Sequence, residues 1–386
     1  MSARLQEVLR FCESHSAWLG ETVETLVRLE SPSDDKAAVD RCGAVLAERL
    51  ARIGAEVTPS RQSACGNHLW ARWSPANPET PESQRQVLLL GHFDTVWPVG
   101  TLGRMPVREE EGRLYGPGVF DMKSGIAVSM LAIRALQEIA GLTSSVVMLW
   151  TTDEEVGSRS SRALIEGAAR ESRAVLVLEP SLPGGGVKTS RKGVGEFELV
   201  VRGVSAHAGL DPGKGASAIH ELARQILALE TLRDPSHGVT VNVGVVAGGS
   251  RPNVIADLAS AKIDVRVQTM DDGVRLERAI RALQPTRASI RFDITGSVER
   301  PPLERSPAVV RLYQQAREVA AALGKDLGEG AAGGGSDGNF TAALGVPTLD
   351  GLGPRGDGAH AAHEHVLVDD LTWRAALLAG LINSLD

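Results

Sequence analysis

The sequence predicts an α/β protein in which a three-layer α/β domain with a mixed sheet is interrupted by an inserted ferredoxin-like α+β domain. Three observations carry that expectation. Short, continuous apolar runs such as Val87-Leu88-Leu89-Leu90 read as strands buried on both faces. Between 123 and 178 such runs alternate with amphipathic helical stretches, the rhythm of a sheet covered by helices. Near Gly193 the order changes to βαββαβ, a ferredoxin-like unit complete in about 110 residues.

The first 53 residues predict two helices broken at Ser31-Pro32-Ser33, a stop and N-cap signal. In the second, Val39, Cys42, Val45, Leu46, Leu50 and Ile53 recur at helical spacing, which puts Cys42 in the core. Short strands are expected at 55–58 and 68–73, then a proline-rich surface loop at 74–84. After the buried strand at 87–90 come a helix (123–140), a strand (145–150), a helix (160–169) and a strand (174–178). The insert reads as strand 195–202, helix 216–229, strands 239–246 and 256–268, helix 273–282 and strand 289–295. Arg300-Pro301-Pro302 looks like the way out of it. From Ser306 the α/β pattern resumes, ending in an amphipathic helix at 368–385. The expected division is therefore 1–192, 193–301 and 302–386, the outer two parts forming one domain.

The chain has 386 residues, 42% hydrophobic and 23% charged, an ordinary globular balance. With 41 basic and 48 acidic residues the net charge is −7, which argues against nucleic-acid or membrane-surface partners, since both need a basic face. The 42 glycines follow no collagen-like period and belong in tight loops, where sites are often built. Three cysteines without a C-x-x-C pair are too scattered for a disulfide framework or a thiolate metal site, and fit a reducing compartment. The N-terminus lacks the apolar core of a signal peptide, and no segment approaches the ~20 apolar residues of a membrane span. The expectation is a cytoplasmic protein.

Nine histidines divide by context. His15, His68, His220 and His237 have no carboxylate motif beside them and read as structural. His92, His207 and the trio His360, His363 and His365 lie in glycine-bounded loops beside predicted element ends. In Gly91-His92-Phe93-Asp94, alternate residues of an extended segment point the same way. Asp94 is therefore expected to accept a hydrogen bond from one imidazole nitrogen while the other binds a metal. Asp121 lies in a loop that opens a helix, where an N-cap is the plain reading and a ligand role is compatible with it. Asp153-Glu154-Glu155 and Glu179 close two buried strands, so carboxylates gather toward one sheet edge and need a counter-ion. Asp121, Glu155 and Glu179 with two neutral histidines supply three negative charges; a hydroxide makes four, the balance for two zinc ions. Imidazole and carboxylate donors suit zinc, with cobalt or manganese as substitutes. Glu154 stays outside the count, an extra carboxylate suited to take a proton from water.

The segments GHFDTV (91–96), GPGVFDMKSG (116–125), DEEVG (153–157) and LEP (178–180) resemble zinc peptidases of the carboxypeptidase G/aminoacylase family. So do SAHAG (205–209), Asn253-Val254-Ile255, Asp264-Val265-Arg266 and GGGSD (333–337), all in the family's order. The resemblance implies a catalytic zinc-hydrolase domain from the outer two parts of the chain and a dimerisation or lid domain between them. It places His92 and Glu179 on one zinc, Glu155 and His360 on the other, and Asp121 on both. Glu154 matches the general base, with Asp94 supporting His92. The last ligand falls in His360-Ala361-Ala362-His363-Glu364-His365-Val366, similar to H-x-x-x-E-Y-V. The spacing to Glu364 selects His360 over His363, and His365 replaces the usual tyrosine.

Arg266 is similar to the family arginine that grips the substrate's terminal carboxylate, to which a guanidinium makes two parallel bonds. A cross-strand ion pair is its other reading. Asn253, Gly334, Gly335 and Ser336 fall on substrate-binding positions, the glycines allowing close backbone approach. His207 is expected to steady the tetrahedral oxyanion and to reach the partner subunit's site across a two-fold homodimer made through the inserted domain. Arg191, Lys192 and Arg251 could receive a second substrate carboxylate or form a solvated basic face. The expected reaction is hydrolysis of the amide bond of N-acyl amino acids or short peptides with a free C-terminal carboxylate, a glutamate carboxypeptidase first. The alternatives are an aminoacylase or N-acyl-amino-acid deacylase, a dipeptidase, and an inactive metal-binding dimeric relative.

Overall fold

A computed structural model of the chain describes residues 2–75 and 86–385, so most of the loop expected at 74–84 lies outside the described residues. Two helices, α1 (Ser2–Ser14) and α2 (Ser16–Arg28), stand where one is expected, because the chain turns at His15 with φ −108° and ψ 18°. Helix α3 (Lys36–Arg52) is capped by Asp35, whose side chain accepts from the Ala38 N–H; the Ser33 hydroxyl goes to Asp94 instead. Strands β1 (Glu56–Ser60), β2 (His68–Trp73) and β3 (Gln86–His92) follow, and every residue of β3 is buried. The short pair β4 (Arg108–Glu110) and β5 (Arg113–Tyr115) has no hydropathy signature. Helix α4 (Ser124–Ala135), strand β6 (Val146–Thr151), helix α5 (Arg162–Arg170) and strand β7 (Ser172–Val177) continue the alternation. Strand β8 (Val187–Arg191) escapes the sequence reading because its buried residues are mostly polar.

The inserted run is β9 (Gly193–Arg202), α6 (Ala218–Glu230), β10 (Thr240–Gly248), β11 (Leu258–Val267), α7 (Met270–Arg281) and β12 (Arg291–Arg300). The chain returns through α8 (Pro307–Ala322), β13 (Glu329–Ala332), α9 (Gly338–Ala343) and β14 (Thr348–Leu349). It ends with β15 (Gly356–Asp357), β16 (His365–Leu367) and α10 (Val368–Ser384). Two compact units result: one of residues up to Ser190, Arg305–Ala332 and from Ser336 onward, the other of Arg191–Glu304 and Gly333–Gly335.

The first unit is built on a sheet in the order β1-β2-β6-β3-β7-β14. Strands β6, β3, β7 and β14 run parallel, while β1 and β2 pair antiparallel, so the sheet is mixed. Successive residues of β3 face opposite layers. Val87 and Leu89 join a core with α1, α2, α4, α8 and α10, whereas Leu88 and Leu90 pack with Ile165 and Ala168 of α5 and Phe340 of α9. Each fully buried leucine contributes roughly 1.5–3 kcal/mol, which explains an apolar run without alternation. Because β3, β6 and β7 are parallel, their C-terminal ends share one edge, where α/β folds build their sites. A second small sheet, β15-β16-β5-β4, carries the chain past that edge.

The second unit is an antiparallel sheet in the order β10-β11-β9-β12, with α6 and α7 packed on it around Phe197, Leu199, Val201, Ile263 and Val265. Strand β9 alternates buried and more accessible residues, the period of a sheet covered on one face. Strand β10 is an edge, and its Val245 and Val246 are each 56% exposed. Among the described residues no helix is long and apolar enough to cross a membrane.

Gly125 opens α4 against the exit of β7, where a Cβ would lie 2.1 Å from the Leu178 carbonyl oxygen. Gly125→Ala is expected to cost about 3 kcal/mol, the upper range for overpacking. The check is a lowered urea midpoint at unchanged m value.

Candidate metal centre

Two groups of donors meet at the shared edge. His92, Asp121 and Glu179 form one and Asp121, Glu155 and His360 the other, the ligand atoms of each lying within 4.8 Å of one another. His92 Nε2 stands 3.3 Å from Asp121 Oδ1 and 3.5 Å from Glu179 Oε1. His360 Nε2 stands 3.5 Å from Asp121 Oδ2 and 3.1 Å from Glu155 Oε2. Each oxygen of Asp121 thus faces a different group. The imidazole at the second group is His360; His363 is 65% exposed and lies 4.0 Å from Asp357, and His365 rests against Tyr115.

Each side chain has a local reason to be where it is. His92 ends β3, Glu155 sits in a one-turn helix just beyond β6, and Glu179 lies just beyond β7. Asp121 is not an N-cap. It lies in an irregular turn, Val119–Lys123, with φ −113° and ψ 94°, and its cis bond to Met122 precedes the helix. Asp94 also departs from expectation. His92 Nδ1 donates to the Asp94 backbone carbonyl at 3.0 Å, and the carboxylate Oδ1 stands off at 3.4 Å. The strand ends at His92, so the side chains of His92 and Asp94 are not held in strict alternation. The Asp94 carboxylate instead accepts from Ser33 and from the Glu155 backbone N–H, bracing the next ligand.

Sequence reasoning used Glu364 only as a spacing mark, yet it organises the loop beneath Asp121. Its Oε1 accepts from the backbone N–H of Phe120 and Asp121, and Oε2 from the Gly118 N–H and Trp97 Nε1, at 2.8–3.1 Å. Asp337, seen in the sequence only as the end of the glycine motif, accepts from Thr151 and Ser158 and so ties down the turn bearing Glu154 and Glu155. Both links are nearly invisible to local pattern because the partners are far apart in the chain. The one trace of the first is the H-x-x-x-E spacing.

The electrostatics ask for cations. Burial works against a charged His92, but the carboxylates of Asp121, Asp94 and Glu179 outweigh it and hold the imidazole well above its ordinary value. Hydrogen bonds to Asp121 and Glu155 push His360 up to about 10. Burial would raise Asp121, and the two imidazoles instead keep it far below the carboxylate range. Burial, together with the charge of Asp121, raises Glu155 despite His360. Two imidazoles and three carboxylates, one of them shared, are a donor set that fits two divalent ions of the zinc class.

The second unit holds most of the substrate-side candidates. His207 pairs with Val254 across an isolated bridge, and Ala208 N–H donates to the Asn253 carbonyl. The N–H groups of Gly209 and Leu210 both donate to His207 Nδ1 at 3.1 Å, which leaves the ring proton on Nε2. Arg266 is paired within its own strand rather than across strands: Nε and Nη2 donate to the two oxygens of Asp264 at 3.0 and 2.8 Å. Arg191 is buried and donates to the Gly334 and Gly335 carbonyls, so that guanidinium shapes the glycine loop. A Cβ on Gly335 would lie 2.6 Å from Arg300 Cδ. Ser336, counted with the first unit, is buried and donates to Asp350.

Two donor triads sharing a carboxylate at the C-terminal ends of the parallel strands of a mixed sheet define a metallohydrolase. The chain belongs to peptidase family M20/M25/M40, whose family model matches residues 88–384. It is 28% identical over 375 residues to carboxypeptidase G2 of Pseudomonas sp. (strain RS-16), covering 95% of this chain and 88% of that one. It is 30% identical over 370 residues to the succinyl-diaminopimelate desuccinylase of Xanthomonas oryzae pv. oryzae (strain PXO99A), covering 89% and 93%. Its fold matches aminopeptidase PepT from Bacillus cereus at a TM-score of 0.79 and 22% identity, over 96% of this chain and 98% of that one.

Glu364→Gln should loosen the centre without touching a ligand, since an amide nitrogen would face two donors where an oxygen now accepts. A lost partner behind a ligand typically costs about 10–100-fold in metal affinity. Competition with a chromophoric chelator measures it; unchanged affinity would show the clamp to be dispensable.

Proposed function

We propose that the chain is a dizinc hydrolase of N-acyl amino acids or short peptides with a free C-terminal carboxylate, a glutamate carboxypeptidase first. The observation that carries this reading is the pair of triads sharing Asp121, with Glu154 immediately before Glu155. His92, Asp121 and Glu179 would hold one ion, and Asp121, Glu155 and His360 the other. When bound, the ions supply Lewis-acid stabilisation of negative charge on the scissile carbonyl oxygen. Glu154 takes a proton from the attacking water and returns it to the departing amine. Asp94 steadies both neighbours, His92 through its carbonyl and the Glu155 N–H through its carboxylate.

His207, with its proton on Nε2, is suited to donate to the oxyanion. Arg266, whose Nη1 takes no part in the Asp264 pair, and the side chain of Asn253 bind the substrate carboxylate, with Gly334 and Gly335 lining the approach. Kinship with carboxypeptidase G2 supports the carboxypeptidase reading. Kinship with a desuccinylase supports a second reading, deacylation of N-acyl amino acids. Rates on N-acyl-glutamate, N-acetyl amino acids and dipeptides separate the two. We further propose a two-fold homodimer through the inserted unit, in which His207 serves the partner's site. The exposed edge strand β10 and its two outward valines support it.

Glu154→Gln should keep its metal and lose about 10²–10⁴-fold in kcat, because the amide cannot accept the proton. Near-normal turnover at full occupancy would sink the assignment. His207→Ala and Glu154→Ala, each inactive, test the dimer when unfolded together and refolded as a mixture. Random pairing makes about half the dimers mixed with one working site each, so roughly a quarter of wild-type activity should return. If His207 acts within its own subunit, no activity returns.

A further inference from the structure

A third group of donors stands apart from the paired triads. Cys65, His68 and Asp153 are all buried, and a ligand atom from each lies within 4.8 Å of the others. They converge on the Ser160 hydroxyl, which is 3.0 Å from Cys65 Sγ, 3.0 Å from His68 Nε2 and 2.7 Å from Asp153 Oδ2. The Cys65 thiol can donate to this hydroxyl, but the single hydroxyl hydrogen serves either Asp153 Oδ2 or His68 Nε2 and not both.

The tautomer of His68 follows from its other neighbour. Thr152 Oγ1 gives its hydrogen to the Gly66 carbonyl at 2.5 Å. His68 Nδ1, 3.0 Å from Thr152 Oγ1, must then be the donor, and Nε2 turns a lone pair toward Ser160. Burial lowers the His68 imidazole more than Asp153 and Asp94 raise it, so the ring stays neutral. Asp153 Oδ1 is buried and accepts no hydrogen bond among the described residues, an orphan that costs about 1–3 kcal/mol. Protons leave this cluster undersatisfied.

We propose that Cys65, His68 and Asp153 form a third, structural metal site of the zinc class. Thiolate and carboxylate charges cancel a divalent ion, and sulfur, imidazole and carboxylate are all zinc donors. The Nδ1–H bond to Thr152 is the outer contact that orients a ligating histidine. Donor atoms around tetrahedral zinc lie roughly 3.3–3.8 Å apart, so these, within 4.8 Å of one another, must draw in by at most about 1.5 Å. An ion here takes the place of the Ser160 hydroxyl, which lies within 3.0 Å of a donor atom from each of the three residues. Sequence spacing hides the site, because Asp153 lies far from Cys65 and His68 in the chain. Since Asp153 immediately precedes Glu154 and Glu155, an ion here pins the turn that carries them.

The test uses the full chain, stripped with a chelator and reloaded with cobalt. The paired triads offer only nitrogen and oxygen, so a thiolate-to-cobalt charge-transfer band in the near ultraviolet requires a cysteine. Cys12 and Cys42 lie within the apolar core. Wild type should bind about three cobalt ions per chain and show the band. Cys65→Ser should bind about one fewer and lose the band while keeping the other ions. Absence of the band in cobalt-loaded wild type, a measurement that needs no variant to fold, overturns the proposal. So does a band that survives Cys65→Ser.

Discussion

Asp121, Glu155 and Glu179 crowd around two imidazoles at one edge of the central sheet, and like charges about 4 Å apart repel by about 4 kcal/mol in a partly screened interior. Such a cluster persists only where positive charge stands between its members. Within the chain itself the imidazoles take that part, which is why His92 is held well above its ordinary value and His360 is pushed up to about 10. The same repulsion makes the position attractive to divalent ions. Much of the first unit can be understood as the scaffold that keeps these groups from relaxing apart.

That scaffold works mainly through backbone N–H groups. Glu364 gathers three of them and an indole N–H, so the irregular turn carrying Asp121 has its donors satisfied without becoming a helix. Asp94 braces the Glu155 backbone, and Asp153 accepts from the N–H groups of Ser160 and Ser161 below the same turn. Carboxylates therefore serve twice here, as prospective ligands and as the buried acceptors that hold the ligand loops open. A buried carboxylate is tolerable in the second role because each hydrogen bond to a charged group contributes roughly 1.5–3 kcal/mol.

The second unit obeys a plainer logic. Its antiparallel sheet and two helices make one small core, and its candidate substrate-side residues, His207, Asn253 and Arg266, stand outside that core. Backbone N–H groups fill His207 Nδ1, and the Arg191 side chain holds the glycine loop by its carbonyls. If His207 donates to substrate as proposed, a ring held in this way needs no rearrangement when charge develops.

Much of this was legible in residue type and spacing. The layer order and the βαββαβ insert follow from local features, apolar runs and period. Acids at strand ends drew attention to His92, Asp121, Glu155 and Glu179, while the family resemblance assigned them as ligands. Within that resemblance, the spacing to Glu364 preferred His360 over His363. Tertiary structure alone decided how those residues are held. It moved the His92 contact from the Asp94 side chain to its carbonyl, paired Arg266 with Asp264, and brought Asp153 to Cys65 and His68. The physical reason is range. Periodicity and strand-end chemistry act over a few residues, whereas the Glu364 bond to Gly118 spans 246 positions and exists only once the sheet has brought both ends to one edge.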